Sequence, residues 1–204
     1  MPGYPIPAAE PSVETWARNS RFLASVARVD TVAAARAGLA RIRARYPDAS
    51  HHVYAFAVGH GATVVHGLSD DGEPGGTAGR PVLAVVQGSG LGDVMVVVSR
   101  YFGGTRLGTG GLVRAYTEAA QAVLAVTPTA EKVTQLWFCL SVAYPQYQAC
   151  RQALASLGAT VVDEQYGAEV EISGWVREEL GAQLNGAVQD ASAGRARLGW
   201  VSPP

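Results

Sequence analysis

The run Val94-Met95-Val96-Val97-Val98 constrains the chain more than any other stretch. Four of its five side chains are β-branched and none is polar, so it reads as a strand buried on both faces. Helical stripes lie on either side of it in sequence. Val32, Ala35, Leu39, Ile42 and Tyr46 recur at three- and four-residue steps after Asp30 or Thr31, either of which can cap, and Pro47 ends the pattern. Leu112, Ala115, Tyr116, Ala119, Val123 and Val126 repeat it after Thr109, read as a cap, and Pro128 stops that helix. A shorter helix is predicted over 82–87, with Pro81 in its first turn. Strands are predicted within 13–29 around the turn signal Arg18-Asn19, and at 51–58 and 62–68 around Gly59-His60-Gly61.

The two ends of the chain read differently. Residues 1–11 hold four prolines and no periodicity, and residues 1–13 are expected to form a flexible or extended tail. The polar stretch 127–133, with the chain's one lysine, Lys132, is expected to separate domains at 14–130 and 134–204. Then come a strand (134–143), a helix opened by Pro145 and closed by Gly158, and two strands meeting at Tyr166-Gly167. A helix (177–190) and a last strand (195–201) finish the chain. The order βαββαβ is that of a ferredoxin-like domain, so the expected class is α+β in two domains.

With 204 residues, 48% of them hydrophobic, a buried core is expected. The formal net charge of −1 excludes binding to nucleic acid or anionic lipid through a global field; any such contact needs a local patch. Cys139 and Cys150 show no CxxC spacing, which suits a reducing, cytoplasmic compartment. Cys139 is read as a core residue on a strand and Cys150 as a helix residue. No basic start followed by an apolar run is present, and the longest aliphatic runs are far short of a membrane span, so no membrane partner is expected.

Twelve of the chain's 24 glycines fall within residues 69–116, beside acids, arginines and aromatics that a plain connector does not need. Asp70, Asp71 and Glu73 sit within four residues. They can offer oxygens to a divalent metal, supply a general base, or pair with Arg100, Arg106 and Arg114 from the same stretch. EF-hand spacing is absent. Gly108-Thr109-Gly110-Gly111 follows a strand and opens a helix, the setting for an anion at a helix N-terminus. It is neither a P-loop nor a dinucleotide fingerprint, since no Lys-Ser/Thr follows and Val113 holds the third glycine's place. A second helix N-terminus, near Thr77 and Gly79, is placed to face the same pocket. The competing reading of all these glycines, Gly103 and Gly104 included, is tight turns and close packing. Tyr101 and Phe102 stack on a base or close the core. His51 and His52 are strand neighbours pointing to opposite faces; one is expected to reach the acidic loop and the other to be buried. Arg36, Arg41, Arg43 and Arg45 flank the first helical stripe as a solvated face or a phosphate-facing patch. No nucleophile motif occurs, no catalytic constellation is identified and no cofactor is expected.

These residues carry a resemblance. Asp48-Ala49-Ser50-His51-His52-Val53-Tyr54-Ala55, Ser69-Asp70-Asp71-Gly72-Glu73-Pro74 with Gly76-Thr77-Ala78-Gly79, Arg100-Tyr101-Phe102-Gly103-Gly104, and Leu107-Gly108-Thr109-Gly110-Gly111 with Leu112-Val113-Arg114-Ala115-Tyr116 together resemble the YigZ/IMPACT family. Asn19-Ser20-Arg21-Phe22 resembles its N-terminal motif, and the likeness covers about residues 14–126. Thr105-Arg106 stands where an aliphatic-lysine pair is usual, keeping the positive charge. The resemblance implies an N-terminal α/β sandwich similar to domain IV of elongation factor G. It implies a ferredoxin-like C-terminal domain similar to domain V of that factor. It also implies a role with nucleic acid or the ribosome linked to regulation of translation, and it brings no settled enzymatic activity.

The resulting expectation is a cytoplasmic protein whose first domain binds RNA or a ribosome-associated partner. Arg100, Arg106 and Arg114 would contact phosphate, Gly110 and Gly111 would open backbone donors, and Tyr101 and Phe102 would stack or wall the pocket. Asp70, Asp71 and Glu73 would orient the arginines. The alternatives are an enzyme acting on a small phosphorylated ligand with a divalent metal at the acidic loop, or a protein-interaction module anchored by the two aromatics.

Overall fold

The apolar run lies at the middle of a five-stranded antiparallel sheet. The structure, a computed structural model, describes residues 3–203. Strand β6 (Val94–Tyr101) pairs with β3 (Ser20–Arg28) on one side and β4 (His51–Val58) on the other, and β2 (Ser12–Ala17) and β5 (Val65–Ser69) form the edges. Val94, Val96 and Val98 share a core with Phe22, Val53, Val82 and Tyr116, which brings in α2 (Gly79–Gly88) and α3 (Gly108–Ala125). Met95 and Val97 point the other way and share a second core with Ala27, Phe56 and Ile42 of α1 (Val32–Arg45). A strand without polar alternation thus has a helical layer on each face.

Capping separates the three helices. Thr31 Oγ1 accepts from Ala34 N at 3.0 Å and caps α1. Thr109 is not a cap: α3 already begins at Gly108, after Leu107, and no side chain caps its first turn.

Residues 1–13 are not a flexible tail over their described part. Tyr4–Pro7 form β1, antiparallel to β7 (Thr129–Lys132), and Ser12 and Val13 belong to β2. Pro5 and Pro7 are two residues apart and share one edge of β1, so neither lacks a donor that the ribbon needs. Ala8, of the opposite parity, donates its N–H to Pro128 O at 2.8 Å. Within the stretch 127–133, residues 129–132 are strand β7, and the division between the two units follows at Val133.

Asp93 ties this ribbon down. It is 1% exposed and left-handed at φ 51, and its carboxylate accepts from Tyr4 Oη at 2.9 Å, from Gly59 N at 2.8 Å and from the Lys132 ammonium. Burial alone would raise its pKa, but the Lys132, Gly59 and Tyr4 donors outweigh that and hold it below the ordinary value of 3.8.

Tyr4–Lys132 form one compact unit and the chain from Val133 onward belongs to another. The second consists of β8 (Gln135–Val142), α4 (Tyr144–Ser156), β9 (Thr160–Tyr166), β10 (Val170–Arg177), α5 (Gly181–Ser192) and β11 (Arg197–Val201). Its antiparallel sheet has the order β11-β8-β10-β9, the ferredoxin-like arrangement. Phe138, Leu140, Ile172 and Val176 pack with Leu154 of α4 and Leu184 and Val188 of α5. Cys139 falls between two core positions of β8 and so points off the core face, half-buried, while Cys150 is buried. The reading of Cys139 as a core residue fails on that alternation. Among the described residues no helix is long and apolar enough to cross a membrane.

A carboxylate with a depressed folded pKa stabilises above its unfolded value and loses that contribution as pH falls through the folded value. Asp93→Asn, which tolerates the left-handed backbone, should therefore lower stability by about 2 kcal/mol at neutral pH. It should also flatten the loss of stability below about pH 4, read from urea unfolding across pH. An acid limb identical to that of the parent would show that Asp93 does not hold the ribbon.

Candidate functional site

Strand register assembles the floor of the site. Phe22, Arg100 and His51 lie directly opposite one another across β3, β6 and β4, on the face covered by α2 and α3. The loop between β5 and α2 brings Glu73 over this row. Arg100 Nη1 donates to Glu73 Oε1 at 2.6 Å, and Tyr116 Oη from α3 donates to the same oxygen at 2.7 Å. The Phe22 ring meets Tyr116 edge-on at 5.2 Å, and the Arg100 guanidinium stands 5.6 Å from Phe22 and 5.5 Å from Phe102. Side-chain exposure is 6% for Arg100 and 3% for Glu73, so the pair is an internal one whose charges must satisfy each other. Burial, then the bond to Glu73, pushes the Tyr116 hydroxyl far above its ordinary pKa, so it stays a donor. Among the described residues Arg100 Nε finds no acceptor.

The acids and histidines divide among separate tasks. Asp70 accepts from Gly76 N, Ala78 N and Gly79 N at 2.8, 3.1 and 2.8 Å. Burial works against its charge, but those amides and Arg80 prevail and lower its pKa. The N-terminus of α2 is therefore already occupied by Asp70 and is not open to a ligand. Asp71 takes Arg43 Nη2 at 2.5 Å and His52 N at 2.6 Å. Its carbonyl lies 2.8 Å from His51 Nδ1. A carbonyl only accepts, so Nδ1 carries the hydrogen and Nε2 is left facing Glu73 Oε1 at 4.0 Å. His52, on the other face, bonds Ser99 Oγ through Nδ1 at 2.9 Å, and burial lowers its pKa. The three carboxylates thus point to three different partners, and among the described residues no group of three His, Cys, Asp or Glu side chains is set to hold a metal. Of the three arginines expected to meet the acids, only Arg100 does so; Arg43 of α1 is the other partner.

Glu73, His51 and Arg100 floor a cavity of about 360 Å³ whose mouth is formed by Phe102, Arg106, Leu107, Gly108 and Thr109. The acidic loop and the glycine-rich loop after β6 thus converge on one space. The first turn of α3 has no acid and no capping side chain, and Gly108, Thr109 and Gly110 are exposed there. Its amides keep open donor positions. Arg18 Nη1 donates to Arg106 O at 2.8 Å, so exposed Arg18 reaches the backbone of an exposed arginine of this mouth. Phe102 is 50% exposed.

Several expected residues lie elsewhere. Arg114 is exposed on α3 and does not line the cavity, so its expected phosphate contact is not part of this site. Arg100 is too buried to meet a phosphate at the mouth. Tyr101 points to the opposite sheet face, under the Arg21 guanidinium at 4.2 Å, and does not wall the cavity. Thr77 is buried and donates to Pro74 O at 2.6 Å. Gly79 and Gly103 serve packing: a Cβ would come within 2.9 Å of Ser69 and 1.8 Å of Asn19 O respectively. Gly104 turns the chain at φ 82. Gly110 needs neither space nor φ, since a Cβ there would meet nothing. Gly111 packs near Leu107. Arg18 was missed because Arg18-Asn19 reads only as a turn, and Tyr116 because it continues an apolar stripe.

Residues 18–124 match the Impact N-terminal domain. The chain belongs to the IMPACT family. Other IMPACT members extend the likeness across both units. The Escherichia coli IMPACT family member YigZ is 36% identical over 97% of this chain and 98% of its own. An IMPACT family member from Haemophilus influenzae is 34% identical over 96% and 95%. Residues 140–195 of this IMPACT chain match a domain of unknown function, DUF1949. A crystal structure described only as that of a hypothetical protein covers the whole of both chains at 35% identity, with a TM-score of 0.68.

Removing Glu73 strands a buried guanidinium, so Glu73→Ala should cost about 3–5 kcal/mol in urea unfolding. Tyr116→Phe leaves the ion pair in place and should cost about 1–2 kcal/mol. Equal, small losses in both variants would contradict the assignment of Glu73 as the shared acceptor.

Proposed function

We propose that the N-terminal unit binds RNA, with a backbone phosphate at the mouth of the cavity. The observation that carries this reading is that exposed Arg18 bonds the backbone of exposed Arg106 beside the uncapped start of α3, and among the described residues no acid is bonded to either guanidinium. Exposed arginines at one opening can meet a phosphate, which also suits the free amides. Phe102 supplies an exposed ring on which a base can stack. Residues 4–132 carry twelve Lys and Arg against ten Asp and Glu, whereas the rest carries four against seven, so the positive excess sits on the unit with the cavity. On this reading the protein works in the cytoplasm on RNA of the translation apparatus, as its family likeness implies.

A small phosphorylated ligand is the second reading. It is favoured by the cavity's volume of about 360 Å³, which falls at the low end of small-ligand sites.

Single-stranded RNA binding should weaken with salt. Arg18→Ala and Arg106→Ala should each reduce the slope of log affinity against log salt by about 0.7, while Arg114→Ala leaves it unchanged. Unaltered slopes in the first two variants would remove the RNA reading. Thermal stabilisation by mononucleotides without retention of RNA would select the small ligand instead.

A further inference from the structure

Apart from the RNA reading, we infer that the open edge of β5 receives an extended, acidic segment of a partner protein as an added strand of the sheet. β5 pairs with β4 on one side, and among the described residues no strand pairs with its other side. The parity of β4 shows which backbone groups face outward. His52 N bonds the carboxylate of Asp71, just after β5, whereas Gly59 N bonds that of Asp93, just before β6. The even-numbered residues of β4 therefore turn their amides and carbonyls toward β5. Tyr54, Phe56 and Val58 stand opposite Ser69, Gly67 and Val65, so the N–H and C=O groups of His66 and Leu68 point off the sheet. The side chains of Val65, His66 and Leu68 are exposed. Edge strands that avoid pairing carry Lys, Pro or a bulge, and Val65–Ser69 has none of these.

A groove beside that edge states what the added strand must bring. Gly67 lies on the α1 face under the Phe56 ring, whose atoms come within 2.3 Å of where a Cβ would stand. Phe56 and Tyr54 stack at 6.3 Å, and with Val32 and Leu39 of α1 they line a cavity of about 180 Å³ between helix and edge. Small-molecule sites begin at about 300 Å³, so this one suits a single apolar side chain. Side chains alternate along a strand laid on β5, and those on the α1 side enter the cavity. Exposed Arg36 lines the same cavity. Among the described residues no acid is bonded to it, whereas Arg41 and Arg43 of the same helix hold Glu10 and Asp71. A carboxylate flanking the inserted apolar residue can meet Arg36. A second copy pairing through its own β5 brings no acid, since Val65-His66-Gly67-Leu68-Ser69 has none, and a different protein is favoured.

The test selects from a phage-displayed library of random peptides of about eight residues, a strand's length, on the full chain. The affinities of enriched peptides are then read by fluorescence polarisation. An apolar residue with a neighbouring Asp or Glu should be enriched. His66→Pro removes an outward N–H that the fold does not use and should weaken binding about tenfold or more. Arg36→Glu, at an exposed position, should weaken it about threefold or more. Both variants are checked for folding by their melting temperatures; should His66→Pro not fold, Arg36→Glu decides. No enrichment of such peptides, or enriched peptides that bind the folded variants as tightly as the parent, overturns the inference. Dimerisation that His66→Pro abolishes, without peptide binding, overturns it in favour of a second copy.

Discussion

The buried contact of Glu73 with Arg100 and Tyr116 is the interaction on which the site depends. It joins three pieces of chain that are far apart in sequence: the loop before α2, the end of β6 and the middle of α3. Each partner alone would be a liability, an uncompensated charge or an unsatisfied hydroxyl in the core. Together they fix the height of the acidic loop over the sheet and the place of α3 beside it. The cavity is the space left between them, and its floor is an ion pair on a central strand.

Around that contact, the charges of the segment fall into two groups. Asp70 is spent on the start of α2, and Asp71 on Arg43 and His52. Arg41 is spent on Glu10. These pairs are how a loop with three acids and a helix rich in arginine fold without repulsion. Arg18, Arg106 and the first amides of α3 lie outside this internal accounting. They lie at or beside an opening, and among the described residues no acid is bonded to either arginine. Function is read here from what folding did not use.

Much of the fold was readable from alternation and spacing. The unbroken run at 94–98 required cover on both faces, the stripe from Val32 to Tyr46 required a helix, and the βαββαβ order survived in the second unit. The errors have physical causes. Prolines at 5 and 7 suggest a tail by composition, but their two-residue spacing keeps both on one edge of a ribbon, which only the partner strand reveals. Cys139 looks apolar enough for the core, yet its parity on β8 turns it away. In the site, residue types were visible while partners were not. No local pattern says that Arg100 rather than Arg106 meets Glu73, because that choice is made by the register of β6 against β4. Nor does a turn signal at Arg18-Asn19 announce that its arginine will lie against a loop 88 residues on.

The proposal that the uncapped start of α3 and the cavity beside it receive RNA can be tested at the level of single residues. It is tested most directly by following backbone amide and histidine ring signals by nuclear magnetic resonance while a short oligoribonucleotide is added. The largest shifts should fall at Arg106–Leu112 and at the His51 ring, with Arg114 and the second unit little changed. Shifts centred on the second unit, or on the outer surface between α2 and α3 with His51 silent, would contradict it.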